Sequence, residues 1–294
     1  MGEAALTQAM GAALGLELDR ATLDDFFGGL DPILTEWSLN PADDPRGQLR
    51  FGSWVHPGSA ALSALVKRLG GPACAELASR APHDDDDLEG VGLGFRAGAR
   101  PSFRWWQLSR PGHGERLFDV AQSLASADAD RAALDDLATC CGGPRRMCAL
   151  GVESDGGALV RHTVYFSVLS AWTAVRVVER IGALPTDPAR RFFRELLGVG
   201  DDDDKRRWPK VWIGRSVGRG GGWKFYWFAR GAAVRPSDDA LLDLVEAGPG
   251  ARAAFAAFRS EAAASPAVQL VGLTFRDGAS AAAAPSWTLY LASR

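Results

Sequence analysis

One alternating pattern recurs five times in this chain, at intervals of roughly 60 residues. In each copy, cationic, hydroxyl-bearing or aromatic residues alternate with residues that are mostly apolar. Because successive side chains of a β-strand point to opposite faces, each copy predicts a strand with one polar and one apolar face. The five copies are QLRFGSWV (48–55), SFRWWQLS (102–109), LVRHTVYFS (159–167), WKFYWFA (223–229) and PSWTLYLA (285–292).

A second strand-like run and a turn precede each copy, as a β-hairpin requires. Between the hairpins, and over residues 3 to 29, apolar residues recur at three- and four-residue spacing, which predicts amphipathic helices. The chain therefore reads as five αββα units. The preceding strands are ILTEWSL (33–39), VGLGFR (91–96), CALGVES (148–154), KVWIGRSV (210–217) and VQLVGLTFR (268–276).

Ten antiparallel strands leave costly edges unless the sheet closes. We therefore predict an α+β fold: a ten-stranded antiparallel barrel of five αββα repeats, surrounded by a ring of helices, with residues 1–294 forming a single domain. Such a barrel is wider than an eight-stranded one, whose interior side chains nearly fill. Because a dry core does not tolerate an unpaired cationic face, we expect a solvent-reachable lumen that holds an anionic ligand.

The overall charge limits the classes of partner. The formal net charge of −3 argues against a general binder of nucleic acids or membrane surfaces, so the cations that matter must be concentrated in one place. No apolar run approaches 18 residues, and the amino terminus lacks a basic region followed by an apolar stretch. We therefore expect a cytoplasmic protein.

Two compositional features suggest metal binding but are better explained otherwise. Three of the four cysteines lie in TCCGGPRRMC (139–148), a spacing that fits a zinc site poorly, so we interpret them as reduced structural thiols. The aspartate runs at 84–87 and 201–204 are interpreted as solvated loops ahead of strands.

Glycines are frequent on the predicted inner face. Neither GVGLG (90–94) nor GRGGG (218–222) has the spacing of a dinucleotide fingerprint or a P-loop, and GRGGG is predicted to be a hairpin turn. Small inward residues within strands are expected to leave volume for a ligand. These residues are Gly92, Gly94, Ala149, Gly151 and Gly272.

The predicted inner face carries cations from several hairpins. Each cation within ~4 Å of a phosphate contributes on the order of 4 kcal/mol at an effective dielectric constant near 20, and arginine adds paired hydrogen bonds. Such a cluster predicts a site for a diphosphate that needs no metal. Its predicted members are Arg50, Arg104, Arg161, Lys210, Lys224 and Arg276.

Aromatic residues share that face. An aromatic ring stabilises a desolvated cation by about 2 kcal/mol per good contact, and aromatic walls also exclude water. This combination favours an allylic diphosphate that ionises to a carbocation, which is the chemistry of prenyl transfer. The predicted wall comprises Trp54, Trp106, Thr163, Tyr165, Trp212, Tyr226, Phe228 and Tyr290.

A proton must leave the acceptor after attack on such a cation. Glu36, the acidic residue of the first hairpin's leading strand, is predicted to point inward and to act as general base or to polarise an acceptor N–H or O–H. Glu153 is the second candidate. The alternative for either carboxylate is a charge partner of Arg50 or Arg161.

The segment TVYFSVLSAWT (163–173) resembles the strand-to-helix junction of the soluble aromatic prenyltransferases, whose barrel is built from five αββα units. Weaker similarities occur at LRFGSWVHP (49–57), LVGLTF (270–275) and PSWTLYL (285–291). The resemblance implies a prenyltransferase that moves a dimethylallyl or longer prenyl group from an allylic diphosphate, such as dimethylallyl or geranyl diphosphate, to an aromatic acceptor such as an indole or a phenol.

The resemblance also implies roles for individual residues. Members that need magnesium carry an acidic residue on the second strand, where this chain has Arg50, so we expect no metal or other cofactor. Arg104 and Lys224 match diphosphate-binding positions, and Tyr165 and Trp212 match positions that shield the cation. Glu36 lies near the catalytic glutamate of indole-type members.

The chain departs from the family pattern at two places. Thr163 stands where many members have lysine or asparagine, and Trp287 and Thr288 stand where a lysine is common. Two alternatives therefore stay open: a prenyltransferase of the cyanobactin type that modifies a peptide side chain, and a non-catalytic barrel that binds an anionic isoprenoid or lipid.

Overall fold

The computed structural model describes residues 2–40, 48–56, 58–82, 88–110, 112–168, 177, 192–196, 211–229, 236–262, 267–277 and 285–292. All ten predicted strands form, each within about three residues of its expected bounds. They are β1 (Leu34–Leu39), β2 (Gln48–Val55), β3 (Leu88–Arg96), β4 (Ser102–Leu108), β5 (Met147–Asp155), β6 (Ala158–Val168), β7 (Val211–Gly218), β8 (Gly222–Phe228), β9 (Val268–Arg276) and β10 (Ser286–Ala292).

The strands close into one antiparallel barrel, with sequential neighbours paired and β1 paired to β10. The ladder leaves no free edge among these ten strands, which confirms the predicted barrel. Because the strands are antiparallel, the connections within hairpins all lie at one end of the barrel, called here the hairpin end. The connections that carry helices lie at the other, the helix end.

Helices precede the first hairpin and follow each of the first, second and fourth hairpins within the described ranges. Those predicted over 167–198 lie outside the described residues, with three exceptions: Ser167 and Val168 belong to β6 instead, Val177 is described, and Phe192–Leu196 forms a π-helical turn. No helix in the described part of the chain is long and apolar enough to cross a membrane. The α-helices are α1 (Glu3–Ala13), α2 (Arg20–Gly28), α3 (Ala60–Leu65), α4 (Gly71–Arg80), α5 (Gly114–Leu124), α6 (Asp128–Cys140), α7 (Asp238–Leu244) and α8 (Pro249–Ala262).

The core lies between the helices and the outer face of the barrel. Phe51 and Trp105 project outward from alternate strand positions and are almost fully buried. Trp37 also points outward, and its Nε1 donates a hydrogen bond of 2.8 Å to Thr7 Oγ1 on α1. Burying each such side chain contributes about 1.5–3 kcal/mol, so the apolar face of the alternating pattern holds the helices in place.

Candidate active site

The lumen contains an apolar and a polar chamber. The apolar chamber lies toward the helix end, and its volume is about 1420 Å³ when the space that opens to solvent is counted. The polar chamber, of about 590 Å³ on the same measure, lies toward the hairpin end. Arg50, Lys224 and Tyr226 line both chambers and so mark their boundary.

The lining residues differ in chemistry as the alternation predicts. Ile33, half exposed, lies at the mouth of the apolar chamber. That chamber is walled by Leu34, Trp54, Leu88, Trp106, Leu108, Trp212, Phe228 and Leu270. The polar chamber is lined by Ser38, Asn40, Arg161, Thr274, Arg276, Ser286 and Thr288, among others.

Four predicted cations meet around one carboxylate, and these five residues are called here the cation cluster: Arg50, Arg104, Arg161, Lys224 and Glu153. Arg104 Nη2 donates to Glu153 Oε2 at 3.0 Å, and Arg161 Nη2 donates to the same oxygen. The side chains of this trio are only 10 to 20% exposed. Three neighbouring strands, β4, β5 and β6, therefore place two guanidinium groups on one carboxylate oxygen.

The other two cations, Arg50 and Lys224, are crowded, and neither is bonded to a carboxylate within the described ranges. Arg50 Nε is buried and has no hydrogen-bond partner among the described residues. Burial together with the positive charge of Arg104 lowers the pKa of Arg50 to about 10. The pKa of Lys224 lies well below its ordinary value because of burial and the nearby arginines. An anion that entered here would relieve this repulsion.

Lys224 is also tied to a hydroxyl pair. Its Nζ donates to Thr163 Oγ1 at 3.3 Å, and Thr163 Oγ1 lies 2.7 Å from Ser216 Oγ. Ser216 has the same strand parity as Trp212, so the alternating pattern would have placed it in the lumen, but sequence analysis did not single it out. The hydroxyl pair orients the ammonium group toward the cluster.

The remaining predicted cations lie elsewhere. Arg276 is exposed at the hairpin end of β9, where it lines the rim of the polar chamber rather than the cluster. Lys210 lies outside the described residues.

Three tyrosines line the apolar chamber, and one of them, Tyr226, also lines the polar chamber. Tyr290 OH donates to Tyr226 OH at 3.3 Å, and the rings of Tyr165 and Tyr226 lie 5.6 Å apart. Burial raises the pKa of Tyr165 and of Tyr226, so both stay protonated near neutral pH. The wall continues through Trp212, 6.1 Å from Tyr165, and the two rings of Trp54 and Trp106 lie 6.0 Å apart.

The expectation that inward glycines leave open volume was wrong for most of them. A Cβ on Gly92 would lie 2.9 Å from the Trp106 ring, and one on Gly151 would lie 2.8 Å from the same ring. A Cβ on Gly272 would lie 2.8 Å from the Tyr226 ring. These glycines seat aromatic rings of the lumen against the wall, whereas Ala149 does border the apolar chamber. Gly94 instead approaches the Ser102 hydroxyl.

Glu36 lies in the apolar chamber, as its parity predicts. Trp54 Nε1, from the neighbouring strand β2, donates a 2.8 Å hydrogen bond to Glu36 Oε2. Burial raises the pKa of Glu36, although the hydrogen bond from Trp54 opposes the rise. A carboxylate with a raised pKa in an apolar chamber has the properties of a general base.

Glu153 has the opposite environment. Burial alone would raise its pKa, but the positive charges of Arg104, Arg161, Arg50 and Lys224 lower the pKa well below its usual range. It therefore holds a proton poorly, and its contacts support the alternative of a charge partner for Arg161 rather than a second general base.

The two features set aside as metal sites have different outcomes. The four cysteines, all of which lie in the described part of the chain, form no disulfide bond, and Cys148 Sγ donates a hydrogen bond to the carbonyl oxygen of Tyr165. Within the described ranges, no group of three or more histidine, cysteine, aspartate or glutamate side chains is arranged to hold a metal ion. The aspartate runs at 84–87 and 201–204 lie outside those ranges.

This barrel matches solved prenyltransferase structures over almost its whole length. The chain superposes on 6-dimethylallyltryptophan synthase from Micromonospora olivasterospora, solved with DMASPP and tryptophan, at a TM-score of 0.70 and 16% identity, covering 99% of this chain and 96% of that one. For 5-dimethylallyltryptophan synthase from Streptomyces coelicolor the TM-score is 0.67 at 17% identity, covering 99% of this chain and 96% of that one. For the prenyltransferase PriB the TM-score is 0.66 at 16% identity, covering 99% of this chain and 94% of that one.

The chain therefore has the ABBA barrel fold of the aromatic prenyltransferases. No protein-family model matches its sequence, and no curated protein matches it.

Proposed function

We propose that this protein is an aromatic prenyltransferase that moves a dimethylallyl or longer prenyl group from an allylic diphosphate to an aromatic acceptor. The main support for the proposal is that a cationic environment and an aromatic environment adjoin each other in one lumen. A cluster of four cations lies at the boundary of an aromatic chamber that holds one desolvated carboxylate. Structural neighbours with this fold bind DMASPP and tryptophan, which supports the same classes of donor and acceptor.

In the proposed reaction the donor diphosphate lies at the cation cluster and its prenyl tail in the apolar chamber. The allylic C–O bond breaks, and its electron pair goes to the diphosphate oxygen. Arg50, Arg104, Arg161 and Lys224 stabilise the charge that develops there. The rings of Tyr165, Tyr226 and Tyr290 face the allylic cation and shield it from water.

The acceptor then attacks the allylic cation from the apolar chamber, forming the new bond with a pair of its π electrons. Glu36 accepts the proton that the acceptor must lose, so the products are the prenylated acceptor, diphosphate and a proton on the carboxylate. Trp54 keeps the carboxylate oriented through its hydrogen bond. Because the pKa of Glu36 is raised, it takes up a proton more readily than an ordinary carboxylate.

We further propose that ionisation needs no metal. In this scheme, side chains balance the charge of the leaving diphosphate. Arg50 lies on the second strand at the position where, by the resemblance to the family, metal-independent members carry arginine and magnesium-requiring members carry an acidic residue. Its Nε is buried, has no partner in the part of the chain that the structure describes, and is available to a phosphate oxygen.

Incubation with candidate substrates tests the proposed function. The protein would be mixed with dimethylallyl or geranyl diphosphate and EDTA, together with tryptophan, tyrosine, a naphthol or a cyclic peptide, and products would be detected by mass. We expect a mass increase of one prenyl group on at least one aromatic acceptor. A product only with the cyclic peptide would favour the peptide prenyltransferase, and bound donor with no product would favour the non-catalytic barrel. Activity that returns only with magnesium would contradict the role of Arg50.

A further inference from the structure

The reaction proposed above leaves one charged residue of the cation cluster without a role. Among the described residues that line the polar side of the lumen, Glu153 is the acidic one. It lines a small recess of about 230 Å³ that is shared with Arg104, Arg161, Thr163 and Lys224. Its carboxylate thus lies where these cations would meet an anion.

The contacts of Glu153 are those that a phosphate oxygen would make. One oxygen, Oε2, accepts hydrogen bonds from Nη2 of Arg104 and Nη2 of Arg161. Charge-assisted bonds of this kind are about twice as strong as neutral ones, so they hold both guanidinium groups in place. A diphosphate that enters must share or replace these bonds.

The carboxylate also reduces the charge of the cluster. Four cations against one carboxylate leave three uncompensated positive charges when all five groups are ionised, whereas a neutral residue at 153 would leave four. Breaking up a buried ion pair leaves an uncompensated charge, which is costly. Glu153 therefore makes the unliganded cluster tolerable and makes it less attractive to an anion at the same time.

We propose that Glu153 takes the place of a phosphate oxygen in the unliganded barrel and lowers the affinity of the lumen for diphosphate, so that the product anion is released. This role rests on the proposed function. Glu153 is then a positioning residue: it orients Arg104 and Arg161 before the donor binds, and it competes for them after the prenyl group has been transferred.

Titration with inorganic diphosphate, followed by calorimetry, tests this role on the intact protein. Removal of the competing charge in Glu153→Gln should tighten binding by about tenfold or more, and diphosphate should inhibit turnover at correspondingly lower concentration. Asp277→Asn is the matched control, because it removes a carboxylate that pairs with Arg215 on the outer face of the barrel. We expect its affinity for diphosphate to stay within about twofold of the original value.

Melting temperatures with and without diphosphate separate an effect on binding from a folding defect. Without ligand, Glu153→Gln should melt below the original protein, and inorganic diphosphate should raise its melting temperature by more than it raises that of the original. Glu153→Asp keeps the charge but shortens the side chain, so its affinity should lie between the two.

Three results distinguish the ideas. Equal or weaker diphosphate binding by Glu153→Gln, with clear binding by the original protein, overturns the role of Glu153 and leaves the proposed function intact. Failure of both proteins to bind diphosphate overturns both. Diphosphate binding by Glu153→Gln but not by the original protein supports competition between Glu153 and diphosphate for the same cations.

Discussion

At the scale of single residues, two carboxylates in one lumen have opposite chemistry. Glu36 lies among apolar and aromatic side chains and accepts a hydrogen bond from Trp54. Glu153 lies among four cations. The first is suited to accept a proton, and the second is suited to stay charged.

Replacing Glu36 by glutamine tests the proposed base. Glutamine keeps the shape and can still accept the bond from Trp54, but it cannot take a proton. We expect kcat for acceptor prenylation to fall by about 10²- to 10⁴-fold, with donor binding unchanged. Steady-state kinetics measure kcat, and calorimetry with inorganic diphosphate measures the binding. An unchanged kcat would remove Glu36 from the mechanism.

The pH dependence follows from the raised pKa of Glu36. The base works only when deprotonated, so kcat/KM should fall as pH drops through a value above the ordinary glutamate pKa of 4.5. Glu36→Gln should lose this acid limb. If the acid limb of the pH–rate profile is unchanged in Glu36→Gln, the limb reports the ionisation of another group.

The same shift affects stability. A folded-state pKa above the unfolded value contributes stability that is complete below the unfolded pKa and is lost as pH rises through the folded pKa. Above the unfolded pKa the burial of Glu36 therefore becomes unfavourable to folding. Glu36→Gln should raise the melting temperature at pH 7 more than at pH 4, and a lower melting temperature at both values would contradict this.

Residue positions were predictable from the sequence, whereas residue environments were not. Strand parity alone placed Glu36, Arg50, Arg104 and Tyr165 in the lumen. The pairing of Glu153 with both Arg104 and Arg161 depends on three strands that meet only when the barrel forms, so the sequence left the roles of base and charge partner open for both carboxylates.

At the scale of elements, the glycine-containing strands act as seats for aromatic rings. A Cβ on Gly214 of β7 would approach Cδ1 of Tyr165 to 2.8 Å and Cε1 of the same ring to 3.0 Å. The sequence shows that the inward side chains are small at such positions. It does not show that a ring from a neighbouring strand fills the space, because that depends on side-chain direction in the closed sheet.

Gly214→Ala should therefore push Tyr165 out of position. We expect a loss of about 1–3 kcal/mol in the free energy of unfolding, measured by chemical denaturation. Gly28→Ala is the control, since a Cβ there meets nothing within 4 Å at the end of α2. Equal stability of the two variants would show that the Tyr165 ring does not pack tightly against Gly214.

At the scale of the whole molecule, closure was readable in the sequence because five similar hairpins without closure would leave two edges. The β1–β10 pairing supplies that closure, and α1 packs against α8 outside it. Lys210, the aspartate runs and the helices over 167–198 lie outside the described residues, so those predictions stay predictions. The single domain over 1–294 is also a prediction.

A single domain predicts one cooperative unfolding transition. Because the last strand completes the ring, the first and last elements should unfold together. Scanning calorimetry should give a calorimetric enthalpy equal to the van't Hoff enthalpy. Two separated transitions would contradict a single unit.

The central claim is that the cation cluster binds and ionises an allylic diphosphate, and the kinetics of arginine variants test it most directly. Arg219→Ala is the matched control, because Arg219 is exposed near the hairpin end and pairs with Asp155 outside the cluster. With dimethylallyl diphosphate and an accepted aromatic substrate, Arg50→Ala and Arg104→Ala should each lower kcat/KM for the donor by about 100-fold or more, while Arg219→Ala stays near the original value. If Arg50→Ala and Arg104→Ala turn over the donor as the original protein does, the cluster is not the diphosphate site.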